Sequence, residues 1–220
     1  MLRVVETNVH WGREGHMARK LLAALAVVLF AATSAFGQER GTGAGRVEIG
    51  AFPGGGMFFT KTTNEPAFGN YALGGSFTWN LNRWVGVEGE GGGTLGVRQA
   101  FTFADTAYAN QRSPGTWMYQ GNAVLSPVGS DRVVVPYLTG GLGGITLSLR
   151  REARLLGIDN YKTFLAGNLG GGLKWFAAPH LGFRGDYRLF VVKNNDTAPL
   201  FFGNETRYGH RVQGGLVFTY

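Results

Sequence analysis

The chain has 220 residues, 37 of them glycine, and a formal net charge of +7 at pH 7. Its length suits one sizeable domain, and its lack of cysteine excludes a disulfide framework and thiolate chemistry. Hydrophobic residues (44%) exclude a mostly disordered polymer, while the low share of charged residues (16%, against roughly 25% in soluble domains) favours a surface partly hidden from water.

The N-terminal segment is predicted to be a cleaved signal peptide, residues 1–37. Two cations, Arg19 and Lys20, precede an apolar run over 21–32, and small residues follow at Ala35 and Gly37. This is the anatomy of a Sec signal with cleavage after Gly37. The run of 12 residues is shorter than the roughly 20 that a membrane-spanning helix needs.

The start of the chain has two interpretations. Residues 1–16 are polar and precede a second methionine, so either the signal peptide begins with a long polar region or the true start is Met17, which we favour. Residues 38–44 then form a short glycine-containing leader, and 45–220 form the folded domain.

Eight segments have the composition and alternation of β-strands, and no helix-period pattern of useful length competes with them. The connections alternate between long, polar segments and short ones. Long loops at one end and tight turns at the other are typical of outer-membrane barrels, and an even number of strands leaves both termini in the periplasm. The predicted strands are 45–60, 70–80, 84–97, 116–126, 133–147, 161–176, 181–192 and 207–220.

The predicted strands have one apolar face and one small or polar face, as side chains alternate along a strand. Alternation alone does not tell which face points inward, since a soluble barrel would enclose its apolar face. If the polar face is inside, five cations meet four anions and most can be paired, as buried charges require. These residues are Arg46, Lys174, Arg184, Arg188 and Arg211 with Glu48, Glu88, Glu90 and Asp186.

The opposite arrangement would crowd seven large aromatic residues into an interior that is just wide enough for side chains to fill. We therefore predict an all-β fold: an eight-stranded, antiparallel, up-and-down transmembrane β-barrel with a polar lumen. A charge network in the lumen would plug the barrel, which argues against a wide diffusion pore.

Tryptophan residues near the ends of the predicted strands indicate where the strands cross the membrane interface. Amphipathic rings favour the boundary between lipid and water, where barrels carry aromatic girdles. The predicted girdle consists of Trp79, Trp84, Trp117, Trp175 and Tyr220.

Four stretches of the chain resemble the small outer-membrane β-barrel family, the OmpA-like and OmpX-like porin-type domains: 80–90 (NLNRWVGVEGE), 136–144 (PYLTGGLGG), 170–188 and 211–220 (RVQGGLVFTY). The resemblance spans essentially all of 45–220. It implies that the closing strand, with Phe218 and a final Tyr220, is the signal read by the barrel-insertion machinery. Phenylalanine is the commoner last residue in the family, so tyrosine is a departure.

No catalytic, cofactor or metal site is expected. His180 falls in a predicted turn and His210 in the last strand, without the spacing of a metal site. A lipid A deacylase would need a serine beside its histidine, and neither histidine has a serine two residues on. The glycines of 140–144 open no helix, so they form no phosphate-binding loop. The modest positive charge does not argue for nucleic acid.

Three arginines in the third long loop, Arg150, Arg151 and Arg154, are candidates for contact with lipopolysaccharide, because guanidinium groups suit phosphate. A merely solvated loop is the alternative. We expect a monomeric integral protein of the bacterial outer membrane, reached by Sec secretion, with a structural or surface-interaction role and outer-membrane lipid as its surroundings. Two other roles stay open: a narrow porin passing small solutes, and a soluble periplasmic barrel that binds an apolar ligand.

Overall fold

The computed structural model describes residues 45–60, 66–103, 106–148, 161–193 and 206–220. The predicted signal peptide and leader, residues 1–44, lie outside them, so cleavage after Gly37 and the start at Met17 stay predictions.

Ten β-strands make up the described part of the chain, in which no helix is long and apolar enough to cross a membrane. Eight of the strands close into one barrel with antiparallel neighbours, in the order β1-β10-β9-β8-β7-β6-β3-β2, which confirms the predicted fold. The strands are β1 Val47–Thr60, β2 Pro66–Asn80, β3 Val85–Gly96, β4 Arg98–Phe103, β5 Thr106–Arg112, β6 Gly115–Leu125, β7 Val134–Ser148, β8 Tyr161–Ala178, β9 Leu181–Val192 and β10 Arg207–Thr219.

Strands β4 and β5 form a separate hairpin within what the sequence predicted to be a loop. The two strands are short, with six and seven residues, and they mix apolar residues such as Phe101 and Phe103 with charged and polar ones. The sequence prediction therefore took the whole segment for a loop.

The connections of the barrel differ at its two ends. Three turns, 81–84, 126–133 and 179–180, lie at one end of the barrel, the turn end. The start of β1 and the end of β10 lie at the same end. The first turn is fixed by the Asn82 side chain, whose Oδ1 accepts hydrogen bonds from the backbone N–H groups of Trp84 (2.8 Å) and Val85 (2.9 Å). The other four connections, 61–65, 97–114, 149–160 and 193–206, lie at the other end, the loop end. Three of them are long, whereas 61–65 has five residues, because β2 begins at Pro66 and not at the predicted residue 70.

The barrel is inside-out relative to a soluble protein. On β9, Phe183 is 48% exposed whereas the next residue, Arg184, is 2% exposed. On β6, Gln120 and Asn122 are buried while Tyr119 is exposed. Strict alternation of this kind places the large apolar side chains on the outer surface, and closure of the sheet leaves the barrel no open edge.

A register shift in β1 interrupts the outer surface. The pairing of β1 with β10 shifts between Ala51 and Gly54, where Pro53 lies. A bulge frees a backbone group from the ladder, and within lipid such a group needs an internal partner. The Tyr71 hydroxyl supplies that partner by donating a hydrogen bond to the Pro53 carbonyl oxygen.

The interior is polar at its middle and apolar towards the loop end. Eleven buried side chains from the loop-end halves of six strands form a cluster, named here the apolar layer. The apolar layer lies between the charged residues and the loop end of the barrel. It was not predicted from the sequence. Its members are Met57, Phe59, Phe68, Ala72, Met118, Ile145, Leu147, Phe164, Ala166, Phe190 and Val192.

Candidate functional site

The middle of the lumen holds a network of charged side chains from five strands. Residues two apart on a strand share one face, so Glu88 and Glu90 of β3 and Arg184, Asp186 and Arg188 of β9 all point inward. Glu48 of β1, Lys174 of β8 and Arg211 of β10 complete the set, named here the lumen network.

Glu88 lies at the centre of the network. Its Oε2 accepts from Arg184 Nη1 at 2.5 Å, and its Oε1 accepts from Arg188 Nη2 at 2.7 Å. Arg184 also pairs with Asp186, with Nη2 and Oδ2 separated by 3.1 Å. One carboxylate therefore joins two arginines that stand four residues apart on β9.

The network continues to the neighbouring strand through Glu90. Arg188 Nη2 lies 2.8 Å from Glu90 Oε2, and Arg211 Nη2 lies 2.5 Å from Glu90 Oε1. A second, separate pair joins Lys174 Nζ to Glu48 Oε2 at 2.6 Å. Asn80 donates to the other Glu48 oxygen, Oε1, at 2.8 Å.

Neutral side chains add hydrogen bonds to the lumen network. The Tyr137 hydroxyl donates to Asp186 Oδ2 (2.9 Å) and accepts from Arg184 Nε (2.7 Å). Asn122 Nδ2 donates to Glu88 Oε1 at 3.2 Å, and Asn168 Nδ2 donates to Asn122 Oδ1 at 2.8 Å. Glu88, Arg184 and Asp186 thus exchange water for several partners each, as a buried charge requires. Among the described residues, Lys174 pairs with Glu48 alone and Arg211 with Glu90 alone.

The charges of the lumen network cancel. It contains four cations and four anions, all of them buried. A neutral, internally paired set leaves little unbalanced field to attract a solute of either sign. It is arranged to fill the lumen and to hold strands together across it.

The structure brings together eight of the nine residues that the sequence placed in the lumen and corrects the ninth, Arg46. Arg46 is exposed and lies over the ring of Trp79, 5.9 Å from its centroid. It has the parity of Glu48, but it precedes β1, so it lies beyond the turn end of the lumen. Sequence reasoning missed Tyr137, because Pro136 and neighbouring glycines obscured the alternation of β7.

The predicted girdle residues all have their side chains exposed, and they divide between the two ends of the barrel. Trp117 lies near the loop end, at the start of β6, whereas the others lie near the turn end. Two of these carry cations over their rings: Arg46 over Trp79 and Arg83 over Trp84. The Trp175 ring stacks on Phe183 with centroids 5.7 Å apart.

The closing strand is paired on both sides, with β1 and with β9. The backbone of Tyr220 exchanges two hydrogen bonds with Val47, and its ring stacks on His180, with centroids 6.0 Å apart. Phe218 lies opposite Ile49 of β1. The insertion role of this terminus stays a prediction.

The remaining candidates are the loop arginines and the two histidines of the folded domain. Arg150, Arg151 and Arg154 lie outside the described residues. His210 faces outward, and its Nδ1 lies 2.7 Å from the Tyr187 hydroxyl. Within the described ranges, no group of three or more histidine, aspartate or glutamate side chains is arranged to hold a metal ion.

A solved structure supports the fold. The structure is similar to that of Neisserial surface protein A, with a TM-score of 0.57 and 13% identity over 81% of this chain and 99% of that chain. It is also similar to the N-terminal β-barrel domain of Pseudomonas aeruginosa OprF, with a TM-score of 0.47 and 12% identity over 80% of this chain and 98% of that chain. No curated protein sequence matched.

The family assignment rests on the sequence itself. Residues 21–217 match the outer membrane protein beta-barrel domain, which is most of the chain. The match agrees with the apolar outer surface and the charged interior, and it places the protein in the bacterial outer membrane. The chain belongs to the outer membrane protein beta-barrel domain family.

Proposed function

We propose that this protein is a closed, non-catalytic barrel of the outer membrane whose role is structural or interactive, and that it is not a porin. The observation that carries the proposal is the filled interior, which is blocked at two levels: the lumen network and, towards the loop end, the apolar layer.

The lumen network is the first barrier to a solute. To pass, a hydrated ion would have to separate pairs such as Arg184 with Glu88 and Arg211 with Glu90, which are 2.5 Å apart and buried. Breaking a buried pair leaves an uncompensated charge, at a cost of roughly 3–5 kcal/mol. The contacts form a chain from β3 to β10, so that separating one pair disturbs the next.

The apolar layer is the second barrier. Phe59, Ile145 and Leu147 are fully buried there, packed against aromatic side chains from β2, β8 and β9. An ion in such surroundings loses its water and gains few polar partners, because the buried Thr94 and Thr116 at this level already bond to each other. The two barriers differ in chemistry, so a solute suited to one is excluded by the other.

Because the lumen is closed in this proposal, the protein interacts with its partners through its exposed surfaces. We propose membrane lipid as the partner of the outer surface, lipopolysaccharide as the partner of the loop end through Arg150, Arg151 and Arg154, and the barrel-insertion machinery as the partner of Phe218 and Tyr220 during assembly. We further propose a monomer with its loop end outside the cell and both termini in the periplasm. The outward apolar belt supports this reading over a soluble ligand carrier.

Single-channel recording in a planar bilayer tests the proposal. The purified barrel should give no steady open current. Because the two barriers stand in series, a variant that weakens both should admit brief openings: Phe59→Ala and Phe164→Ala in the apolar layer with Glu90→Gln and Arg211→Gln in the lumen network. A matched control on the exterior, Leu165→Ala and Leu169→Ala with Asp131→Asn and Arg132→Gln, should stay silent. Steady currents from the unmodified protein would establish a narrow porin instead.

A further inference from the structure

We propose that Arg98 and Arg112, at the base of the β4–β5 hairpin, form a binding site for a phosphate group of a membrane lipid at the loop end. The inference rests on one part of the proposed function, namely that the protein interacts with its partners through the loop end. It assigns a ligand class to two residues that neither the lumen network nor the apolar layer uses.

The hairpin base is held firmly against the barrel. The Gln99 side chain pairs with the backbone of Gly69 on β2: its Oε1 accepts from the Gly69 N–H at 3.0 Å, and its Nε2 donates to the Gly69 carbonyl. The Ser113 hydroxyl donates to Asn70 Oδ1 at 2.5 Å, and the Ser113 N–H donates to the Val97 carbonyl at 3.1 Å. A site at this base is therefore pre-organised, which lowers the entropic cost of binding.

The two arginines stand directly opposite each other. Arg98 and Arg112 are cross-strand partners, both are exposed, and like charges in this position weaken a hairpin. Arg112 Nε donates to the Gly96 carbonyl at 2.9 Å. This hydrogen bond fixes the side chain and leaves its two terminal amino groups to bind a ligand. Among the residues described, neither arginine has a carboxylate partner. One phosphate between two guanidinium groups would relieve the repulsion with bidentate hydrogen bonds.

The height of the site favours a lipid over a soluble partner. Leu95 lies on the outward face near the end of β3 and is 58% exposed. Arg98 follows three residues later, about 10 Å along the strand and about 8 Å along the membrane normal for a barrel tilt of about 40°. The headgroup layer is about 5–8 Å deep on each side of the hydrocarbon core. The guanidinium groups can therefore reach lipid phosphates, since long cationic side chains extend towards that layer.

A simpler role for the arginines is to keep the open edges of the hairpin from pairing with other strands. That role explains their charge, but it does not call for two cations on facing positions, where they oppose the pairing of β4 with β5. It also predicts no preference for phosphate, so a binding measurement separates the two roles.

The test uses the full barrel in dodecylmaltoside micelles and measures binding of diphosphorylated lipid A by native mass spectrometry. Arg98→Gln with Arg112→Gln should weaken binding by at least about tenfold, from the loss of two charge-assisted contacts. The matched control, Arg83→Gln with Arg132→Gln, removes the same charge from exposed residues at the turn end and should stay within about twofold. Arg98→Lys with Arg112→Lys should fall between them, because lysine keeps the charge but loses the bidentate geometry.

Three further ligands identify the source of the phosphate. Dephosphorylated lipid A and inorganic phosphate should each bind at least about tenfold more weakly than diphosphorylated lipid A. Dextran sulfate should not displace bound diphosphorylated lipid A. Unchanged lipid A binding by the double glutamine variant, or equal binding of dephosphorylated lipid A, would overturn the proposal. Equal affinity for inorganic phosphate, or binding of dextran sulfate alone, would overturn the lipid assignment. A conducting barrel that still binds lipid A would refute the closed-barrel function and leave this site intact.

Discussion

At the scale of single residues, the lumen network depends on one carboxylate. Glu88 accepts hydrogen bonds from Arg184 and Arg188, and all three side chains are buried. Glu88→Gln would leave four buried cations facing three anions. Because the loss of one partner strands a buried charge, we expect the free energy of unfolding to fall by about 3 kcal/mol, measured by guanidinium unfolding in lipid vesicles.

Two variants complete this experiment. Glu88→Gln with Arg184→Gln restores equal numbers of charges, so it should be less destabilised than the sum of the single variants by about 1–2 kcal/mol. Asp131→Asn removes the same charge from an exposed residue in a turn and should change stability by less than about 0.5 kcal/mol. A Glu88→Gln barrel as stable as the Asp131→Asn barrel would show that the network contributes nothing to stability.

At the scale of the strand, alternation decides which side chains meet lipid. Phe183 lies outward near the turn end of β9, stacked on Trp175, while its neighbour Arg184 points into the lumen. The sharper test lies at Leu169, midway along β8 and 68% exposed. Leu169→Arg would put a cation on the lipid side near the middle of the belt, at a cost of about 2–4 kcal/mol, so stable insertion into vesicles should fail. Phe183→Arg, near the interface, should cost only about 0–1 kcal/mol and still insert. Normal insertion of the Leu169→Arg variant would mean that this face does not contact lipid.

Strands also show how far the sequence alone could lead. Where one face is apolar and the other charged, as around Arg184, Asp186 and Arg188, a period of two residues was enough to place the side chains inward. Near the loop end both faces are apolar: Phe58 is 43% exposed and the next residue, Phe59, is fully buried. Alternation cannot distinguish such neighbours, and the apolar layer was therefore missed. The β4–β5 hairpin was missed because its strands are short and mix apolar residues with charged and polar ones.

At the scale of the whole molecule, the barrel exists only if β1 meets β10. Gly214 and Gly215 of β10 lie at this seam and differ sharply in the space around them. A side chain at Gly215 would overlap the Ala51 carbonyl oxygen of β1 and come within 2.8 Å of the Phe52 Cα. A side chain at Gly214 would come no nearer to its surroundings than 3.9 Å. Adjacent glycines thus provide a matched pair for testing closure.

Closed barrels resist SDS until they are boiled, because the sheet leaves no edge at which unfolding can begin. The unmodified protein should therefore migrate differently before and after boiling. Gly214→Val should keep that shift, whereas Gly215→Val should lose it, since its side chain forces β1 and β10 apart. The two variants add the same side chain at consecutive positions, so a difference between them reports on the seam and not on strand propensity. Equal behaviour of both would mean that β10 does not close against β1 in this register.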